Sequence, residues 1–226
     1  MLTESTENYL KAILQLEADK ADGVSTSSIA ERLGAQPASV TGMMHKLKER
    51  GWVKYERYKG VDLTEIGRRH AMETVRRHRL WETFLVGTLG FAWDKVHDLA
   101  EQLEHVRSAD LTDQLDAFLG HPQTDPHGDP IPNADGTFRT SVRRALLSDA
   151  QVGVCAKIVG VGDSHDDFLR HLNSLGLGLG TVVEVKELFP FDRSMAVHIV
   201  GGVEARCHLS SRVTQNLWWV EAVPDA

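Results

Sequence analysis

Six side chains that can ligate a metal ion occur close together in the sequence and follow helical spacings. They are His78 and Glu82, then His97, Glu101, Glu104 and His105. His78 and Glu82 are one turn apart, so one helix face carries both. At about 100° per residue, the other four fall within an arc of roughly 100°, away from the apolar residues of the same stretch. The spacing predicts a metal site, although such a pattern in isolation is also typical of a solvated polar face.

The elements upstream of these residues predict a helix-turn-helix. Apolar residues at a helical period predict a first helix over residues 6–19. Ser25 or Thr26 can cap a second helix, which ends at Gly34, and Pro37 opens a third helix. The second and third helices are separated only by a short turn, which is the arrangement of a DNA-binding motif.

A predicted β-hairpin completes this unit. Residues 52–63 form two short strands that turn at Lys59 and Gly60, and Thr64 can cap a long basic helix from Glu65. Helix, turn, helix and hairpin in this order predict a winged helix-turn-helix.

The third helix and the hairpin carry side chains suited to DNA. In a helix-turn-helix, the start of the motif's second helix, which is the third helix of this chain, reaches base edges in the major groove. Basic side chains contact phosphates. We expect base contacts from Gln36, Pro37, Ala38, Ser39, Thr41, Gly42 and Met43, and phosphate contacts from Lys46, Lys48, Arg50, Lys54, Arg57 and Lys59. Residues 30–79 carry twelve Lys or Arg against six Asp or Glu, a net +6, whereas the rest of the chain carries −13. The alternative is an ordinary helical hairpin with a solvated basic face.

The second half of the chain changes in character. A helix from 65 to about 89 carries more apolar surface than one amphipathic helix needs, which predicts a dimer interface. Helices over about 94–107 and 110–119 lead into a linker rich in proline and glycine. Beyond it, short apolar runs separated by glycines, with one helix over 166–175, predict a small β-barrel.

Composition limits the class of protein. The chain has 226 residues and a formal charge of −7, its first twenty residues lack the pattern of a signal peptide, and no stretch reaches about 18 uncharged apolar residues. Two isolated cysteines, Cys155 and Cys207, predict no disulfide framework. We therefore expect a cytoplasmic protein without a membrane partner.

Five segments together form a recognisable combination of motifs. They are SSIAERLGAQPASVTGMMHKLKERGWV, LTEIGRR, RRHRLWETFL, KVHDLAEQLEHV and DPHGDPIP. They resemble the diphtheria toxin repressor family of bacterial metal-dependent transcriptional regulators, and residues 146–226 look like the SH3-like (FeoA-like) barrel of its longer, manganese-type members. The resemblance implies an α+β fold: a winged helix-turn-helix in 1–64, a helical dimerisation and metal-binding domain with the linker in 65–143, and an SH3-like β-barrel in 144–226.

The resemblance also implies two metal sites. The first, which resembles the family's switch site, would use Glu101, Glu104 and His105 with a residue of the first helix that aligns with Asn8. The second would use His78, Glu82 and His97, and is completed from the linker or the barrel by Asp125, His127 or Asp163, which match positions used in some manganese-type relatives.

The ligand types favour manganese. Iron-responsive members have a thiol where this chain has Glu101, and a carboxylate makes the site harder and more suited to Mn²⁺. Asn8 brings an amide oxygen without charge, and Glu7 is the neighbouring alternative, turned by about 100° on the helix. Fe²⁺ is the alternative ion, and other divalent metals are expected to bind in vitro.

The predicted function is therefore metal-dependent regulation of transcription. A homodimer would bind a palindromic operator in double-stranded DNA and repress metal-uptake genes when Mn²⁺ is bound, with no small-molecule substrate. Two alternatives are an iron-responsive repressor of the same family and a winged-helix regulator whose metal is only structural. An enzyme is not expected, because HExxH, a Ser/His/Asp set and a glycine-rich phosphate loop are absent from the sequence.

Overall fold

The structure is a computed structural model that describes residues 2–17, 23–56, 59–138, 144–202 and 206–222. The chain folds into two compact units. The first comprises 1–81, 100–120 and 131–139, and the second comprises 82–99, 121–130 and 140–226. This division differs from the three predicted domains, whose boundaries stay a prediction.

The first unit begins with the predicted helix-turn-helix and hairpin. Its elements are α1 (Glu4–Glu17), α2 (Thr26–Leu33), α3 (Pro37–Glu49), β1 (Val53–Glu56), β2 (Gly60–Leu63), most of α4 (Glu65–Gly87), the end of α5 (His97–Leu103) and α6 (Ala109–Phe118). Strands β1 and β2 pair antiparallel, with Val53 opposite Leu63. The winged helix-turn-helix order is therefore present.

Local signals in the sequence set the ends of these helices. The Ser25 hydroxyl accepts a hydrogen bond from the Ser28 N–H (3.0 Å), and Gly34 ends α2 in the left-handed region (φ 58°). Pro37 occupies the first turn of α3. The Thr64 hydroxyl accepts from the Gly67 N–H (3.1 Å) at the start of α4.

The core of this unit lies between α1, α2, α3 and the hairpin. Its fully buried side chains include Leu10, Ile13, Ile29, Met44 and Leu47. These are the apolar positions of the helical periods in the sequence, so burial of one face of each helix fixes which residues remain outside.

The second unit contains a six-stranded antiparallel sheet. Its elements are β3 (Ala145–Leu146), β4 (Cys155–Val161), α7 (Asp166–Ser174), β5 (Val182–Phe189), β6 (Ser194–Ile199), β7 (Cys207–Leu209), α8 (Ser211–Thr214) and β8 (Leu217–Glu221). The strand order is β3-β8-β4-β5-β6-β7. A core that includes Ile158, Leu169, Leu172, Val183 and Met195 packs this sheet against α7.

The α+β prediction is confirmed, but the closed β-barrel is not. In the strands that the structure describes, β3 and β7 form the two edges and do not pair with each other, so the sheet stays open. β3 has two residues and β7 has three. Such short edge strands offer too few hydrogen bonds to close a barrel.

No helix in the described ranges has both the length and the apolar character needed to cross a membrane.

Candidate metal centres and nucleic-acid interface

Glu104 is the central residue of a buried cluster in the first unit, which we call the Glu104 cluster: Glu7, Lys11, His78, Glu101, Glu104 and His105. Glu104 is 1% exposed and lies in the turn that follows α5. Its Oε2 lies 2.6 Å from both Lys11 Nζ and His78 Nδ1. Burial by itself raises the pKa of a carboxyl, but here the hydrogen bond with His78 and the charge of Lys11 outweigh it and lower the pKa of Glu104. The carboxylate is therefore held in its charged form.

His105 is oriented by a second buried carboxylate. Its Nδ1 lies 2.8 Å from Glu7 Oε2, and its Nε2 lies 4.0 Å from Glu104 Oε1. A ligating histidine commonly has its other ring nitrogen bound to a carboxylate, which fixes the ring. Glu7 can play this orienting role for His105, while His105 Nε2 and Glu104 Oε1 are close enough to share one ion.

Glu7 itself is enclosed by two arginines. It is 0% exposed, Arg77 Nη2 lies 2.8 Å from its Oε1, and Arg107 Nε lies 3.1 Å from the same oxygen. Two guanidinium groups offset the cost of burying this charge. Glu7 therefore fits an orienting role better than that of a direct metal ligand.

Asn8 and its neighbour Glu7 differ in burial. Asn8 is exposed on α1, whereas Glu7 and Lys11 are buried. Consecutive residues on a helix point about 100° apart, and the face that packs in the first unit is the one with Glu7. The neighbouring alternative, Glu7, thus lies beside His105, and the assignment of Asn8 as a ligand stays a prediction.

Glu101 lies at the open side of this cluster. Its side chain is 55% exposed, and its Oε1 is 3.8 Å from Lys11 Nζ. The three ligands predicted on and after α5 for the first site are therefore split: Glu101 is in the helix at the surface, and Glu104 and His105 are in the turn that closes it.

A second group, the Glu82 cluster, lies in the second unit and consists of Glu82, His97, Asp125 and His127. Glu82 is 2% exposed; its Oε1 is 3.3 Å from His97 Nδ1, and its Oε2 is 3.6 Å from His127 Nδ1. Ligand atoms of Glu82, Asp125 and His127 all lie within 4.8 Å of one another. Residues distant in sequence thus meet at one carboxylate.

The linker segment that carries Asp125 and His127 is fixed by backbone hydrogen bonds. The Val161 N–H donates to His127 O (2.9 Å), and Asp125 Oδ1 accepts from the His127 N–H (2.8 Å). Gly128 has φ 85°, and a Cβ there would lie 2.1 Å from Val159 O. Only glycine permits this approach of the linker to β4.

His127 is held in one orientation. Its Nε2 lies 2.9 Å from Trp93 O, and its ring stacks on Trp93 with centroids 5.8 Å apart. Burial lowers the pKa of His127, but the hydrogen bond and charge of Glu82, with the charge of Asp125, outweigh it and raise the pKa to about 9. This leaves Nδ1 facing Glu82.

Two further predicted ligands, His78 and Asp163, also contact residues outside the Glu82 cluster. His78 lies one turn before Glu82 on α4, and its Nδ1 contacts Glu104. Asp163 lies just before α7. Its carboxylate accepts hydrogen bonds from the backbone N–H and the ring Nδ1 of His165 (3.0 and 2.7 Å) and lies 3.5 Å from Arg212 Nη2. These contacts lower the pKa of Asp163 against the effect of its partial burial.

Both clusters fit a hard divalent cation by their donor chemistry. Each combines buried carboxylates with imidazoles, the oxygen and nitrogen ligands that suit Mn²⁺ and similar ions. In the Glu82 cluster two acids, Glu82 and Asp125, are buried together, and such a pair requires positive charge nearby. Either a protonated histidine or a metal ion can supply it.

Most of the predicted DNA-contact residues that the structure describes are exposed. Gln36, Pro37, Ala38, Ser39, Thr41, Gly42, Lys46 and Lys59 are exposed, and Met43 is half-buried. Lys48 Nζ donates to Tyr55 O (3.0 Å), which ties α3 to the hairpin. Arg57 lies outside the described residues. The exposed face of α3 opposite Val40, Met44 and Leu47 is thus available for a ligand.

Sequence reasoning missed the basic residues that pair with the acids of the Glu104 cluster. Lys11, Arg77 and Arg107 hold the buried acids. One signal was present, since Glu7 and Lys11 are spaced i, i+4 on the helix face that also carries Leu10. Charged residues on an apolar face are expected to be paired when buried.

Three family models match successive parts of the chain. They are "Iron dependent repressor, N-terminal DNA binding domain" over 1–61, "Iron dependent repressor, metal binding and dimerisation domain" over 64–133, and "FeoA domain" over 145–218.

Curated relatives include repressors, some of them iron-dependent. The iron-dependent repressor IdeR of Mycobacterium tuberculosis (strain ATCC 25618 / H37Rv) is 36% identical over 131 residues, which cover 58% of this chain and 56% of that protein. The diphtheria toxin repressor of Corynebacterium diphtheriae is 33% identical over 161 residues, 70% of this chain and 71% of that protein. This chain belongs to the diphtheria toxin repressor family. It spans about half the length of the mycobacterial relative that it matches.

Solved structures resemble this family member over nearly its full length. A manganese-dependent transcriptional repressor in complex with manganese has 39% identity and a TM-score of 0.87, covering 96% of this chain and 100% of that one. ScaR with bound Zn²⁺ has 26% identity and a TM-score of 0.79, covering 96% and 99%. The predicted membership of the diphtheria toxin repressor family is confirmed.

Proposed function

We propose that this protein is a Mn²⁺-dependent DNA-binding repressor that acts as a homodimer on a palindromic operator of metal-uptake genes. The observation that carries this proposal is the Glu104 cluster, in which α1 of the DNA-binding part contacts the ligand residues that follow α5. Lys11 and Glu7 of α1 contact Glu104 and His105 directly. A change in the position of Glu104 or His105 therefore alters the contacts of α1, which packs against the helix-turn-helix formed by α2 and α3.

Glu104 and His105 would hold the ion together with Glu101. The ion supplies positive charge that draws these three side chains together. Glu7 keeps the His105 ring oriented, and Arg77 ties Glu7 to the backbone oxygen of Glu104. This network couples the turn after α5 to α1. Because α1 packs against α2 and α3, the coupling extends to the exposed face of α3.

The carboxylate at position 101 supports manganese over iron. Glu101 is the accessible member of the first site, and a carboxylate is a harder ligand than a thiol. The identity of 36% to iron-dependent repressors favours Fe²⁺ as the second candidate. Comparing Mn²⁺ and Fe²⁺ under anaerobic conditions separates the two, because only the cognate ion is expected to activate at its cellular concentration.

The test is a fluorescence anisotropy titration of chelator-treated protein against the DNA upstream of its own gene and of metal-transporter genes, at fixed salt. We expect tight binding with Mn²⁺ and a Kd increased about 5- to 150-fold in EDTA, the usual range of such coupling. Equal binding in EDTA would contradict metal control and favour a regulator whose metal is structural.

Glu101→Gln is the informative variant because Glu101 is exposed and glutamine removes the charge while keeping the size of the side chain. It should lose most of the Mn²⁺ effect on DNA affinity. Glu187→Gln is the matched control, since Glu187 is also half-exposed but lies on β5 beside Arg206.

Deleting one half of the operator palindrome tests the dimer, which should then bind much more weakly.

A further inference from the structure

Lys11 lies inside the group of side chains that the proposed function assigns to the metal. Its Nζ is 2.6 Å from Glu104 Oε2, 3.2 Å from His78 Nδ1 and 3.8 Å from Glu101 Oε1. The residue is 6% exposed and is the one buried lysine among the described residues. Burying an ammonium group is costly unless anionic partners surround it, so this placement requires a role for its charge.

We propose that the Lys11 ammonium is an internal cation of the Glu104 cluster that competes with the divalent ion for Glu104 and Glu101 and so sets the metal concentration at which the switch responds. This inference rests on the proposed function, because it concerns the same site. It assigns the affinity of that site to a residue that is not a ligand.

The geometry supports competition for both acids. Lys11 shares Glu104 Oε2 with His78, while His105 Nε2 approaches the other oxygen of the same carboxylate. A divalent ion held by Glu104 and His105 would therefore lie close to an ammonium group of like charge, in surroundings where charges are poorly screened. Glu101 would also have to move from Lys11 toward the ion.

The partners of Glu104 point the same way. Its Oε2 lies 2.6 Å from both the Lys11 ammonium and the His78 ring. The carboxylate is thus already neutralised by its neighbours, and a divalent ion gains less from binding to it than to an uncompensated acid.

The alternative is that Lys11 only orients Glu104 for the ion. The two roles predict opposite results. Removing a competitor strengthens metal binding, whereas removing an orienting group weakens it.

The experiment measures Mn²⁺ affinity of the full chain by competition with a fluorescent chelator. Lys11→Met removes the charge and keeps most of the side chain, Lys11→Arg keeps the charge, and Lys186→Met is a control at a lysine on β5 that pairs with Glu184. We expect Lys11→Met to bind Mn²⁺ about tenfold more tightly or more, with Lys11→Arg and Lys186→Met near wild type. Unchanged or weaker binding by Lys11→Met would overturn the proposal.

A double variant, Lys11→Met with His105→Gln, shows which site has changed. It should lose the tighter Mn²⁺ binding that Lys11→Met gains, because His105 would be a ligand of that site. Thermal melts add a readout that does not depend on DNA. In EDTA, Lys11→Met should melt lower than wild type because Glu104 has lost its partner, and Mn²⁺ should raise its Tm by more than in wild type. If Lys11→Met is unfolded in EDTA, recovery by Mn²⁺ supports the proposal and failure to recover overturns it.

The two proposals fail separately. Mn²⁺ binding without an effect on DNA affinity contradicts the proposed function and leaves only the effect of Lys11 on Mn²⁺ affinity standing. A normal Mn²⁺ effect on DNA affinity with unchanged Mn²⁺ affinity in Lys11→Met contradicts only the role of Lys11.

Discussion

The two clusters neutralise their buried acids in different ways. Lys11 and His78 hold Glu104 in the first, whereas His127 faces Glu82 and Asp125 in the second. A histidine can release its proton near neutral pH, and the pKa of His127 is raised to about 9. The Glu82 cluster is therefore where metal, proton and stability should be linked.

The raised pKa of His127 predicts a pH dependence of stability in chelated protein. The folded state holds this proton up to about pH 9, and the unfolded state releases it near pH 6.5. Stability from the charged histidine is complete below about pH 6.5 and is lost as pH rises toward about 9. Thermal melts in EDTA should show wild type losing more Tm over this window than His127→Gln, with His165→Gln, at an exposed histidine, behaving as wild type. Parallel curves for wild type and His127→Gln would contradict this assignment.

Asn8 and Glu7 give a second prediction about single residues. Asn8→Ala should change Mn²⁺ affinity little and stability by less than about 0.5 kcal/mol, because Asn8 is exposed. Glu7→Gln should cost about 3 kcal/mol of unfolding free energy, since it leaves Arg77 and Arg107 without their shared carboxylate. Denaturant unfolding measures both, with the exposed Glu4→Gln as control. A large loss of Mn²⁺ affinity in Asn8→Ala would restore Asn8 as a ligand.

At the scale of elements, two glycines differ in the space around them: one lies in α4 and the other in α3. Gly67 lies in α4, where a Cβ would be 1.9 Å from Trp52 O, so the helix packs directly on the backbone before the hairpin. Gly42 lies on the exposed face of α3, where a Cβ would meet nothing within 4 Å. The fold needs the first glycine and not the second, although glycine within a helix is unfavourable.

The pair Gly67→Ala and Gly42→Ala should therefore act in opposite directions. Gly67→Ala should destabilise by about 1–3 kcal/mol through overpacking. Gly42→Ala should stabilise by about 0.5–1 kcal/mol and weaken DNA binding, because the added methyl group projects from the face proposed to enter the major groove. Thermal melts and anisotropy measure the two effects. Undiminished DNA affinity in Gly42→Ala would mean that α3 does not approach DNA closely at this residue.

For the molecule as a whole, the proposed switch is a coupling between metal and DNA. Coupling free energies are reciprocal, so DNA must raise Mn²⁺ affinity by the same factor by which Mn²⁺ raises DNA affinity. We expect Mn²⁺ titrations with and without saturating operator to differ by about 5- to 150-fold, matching the anisotropy result. A non-operator duplex is the control, and unequal factors at equilibrium would show that a further species takes part.

Local signals in the sequence were sufficient for the helices, whereas the ligand set stays a prediction. The caps at Ser25 and Thr64, the stop at Gly34 and the apolar periods of α1 and α3 predicted elements that the structure contains. The spacing of Glu104 and His105 predicted their common location. These are properties of one turn or one helix, so neighbouring residues determine them.

Tertiary structure alone decided which charges meet. Glu7 rather than Asn8 contacts His105, Lys11 lies beside Glu104, and Asp163 binds His165 instead of joining the Glu82 cluster. Closure of the predicted barrel likewise depended on pairing between short edge strands, which the described strands do not show. Each of these outcomes depends on which helix face is buried and on the balance between desolvation and pairing of charges distant in sequence, and neither is encoded in local spacing.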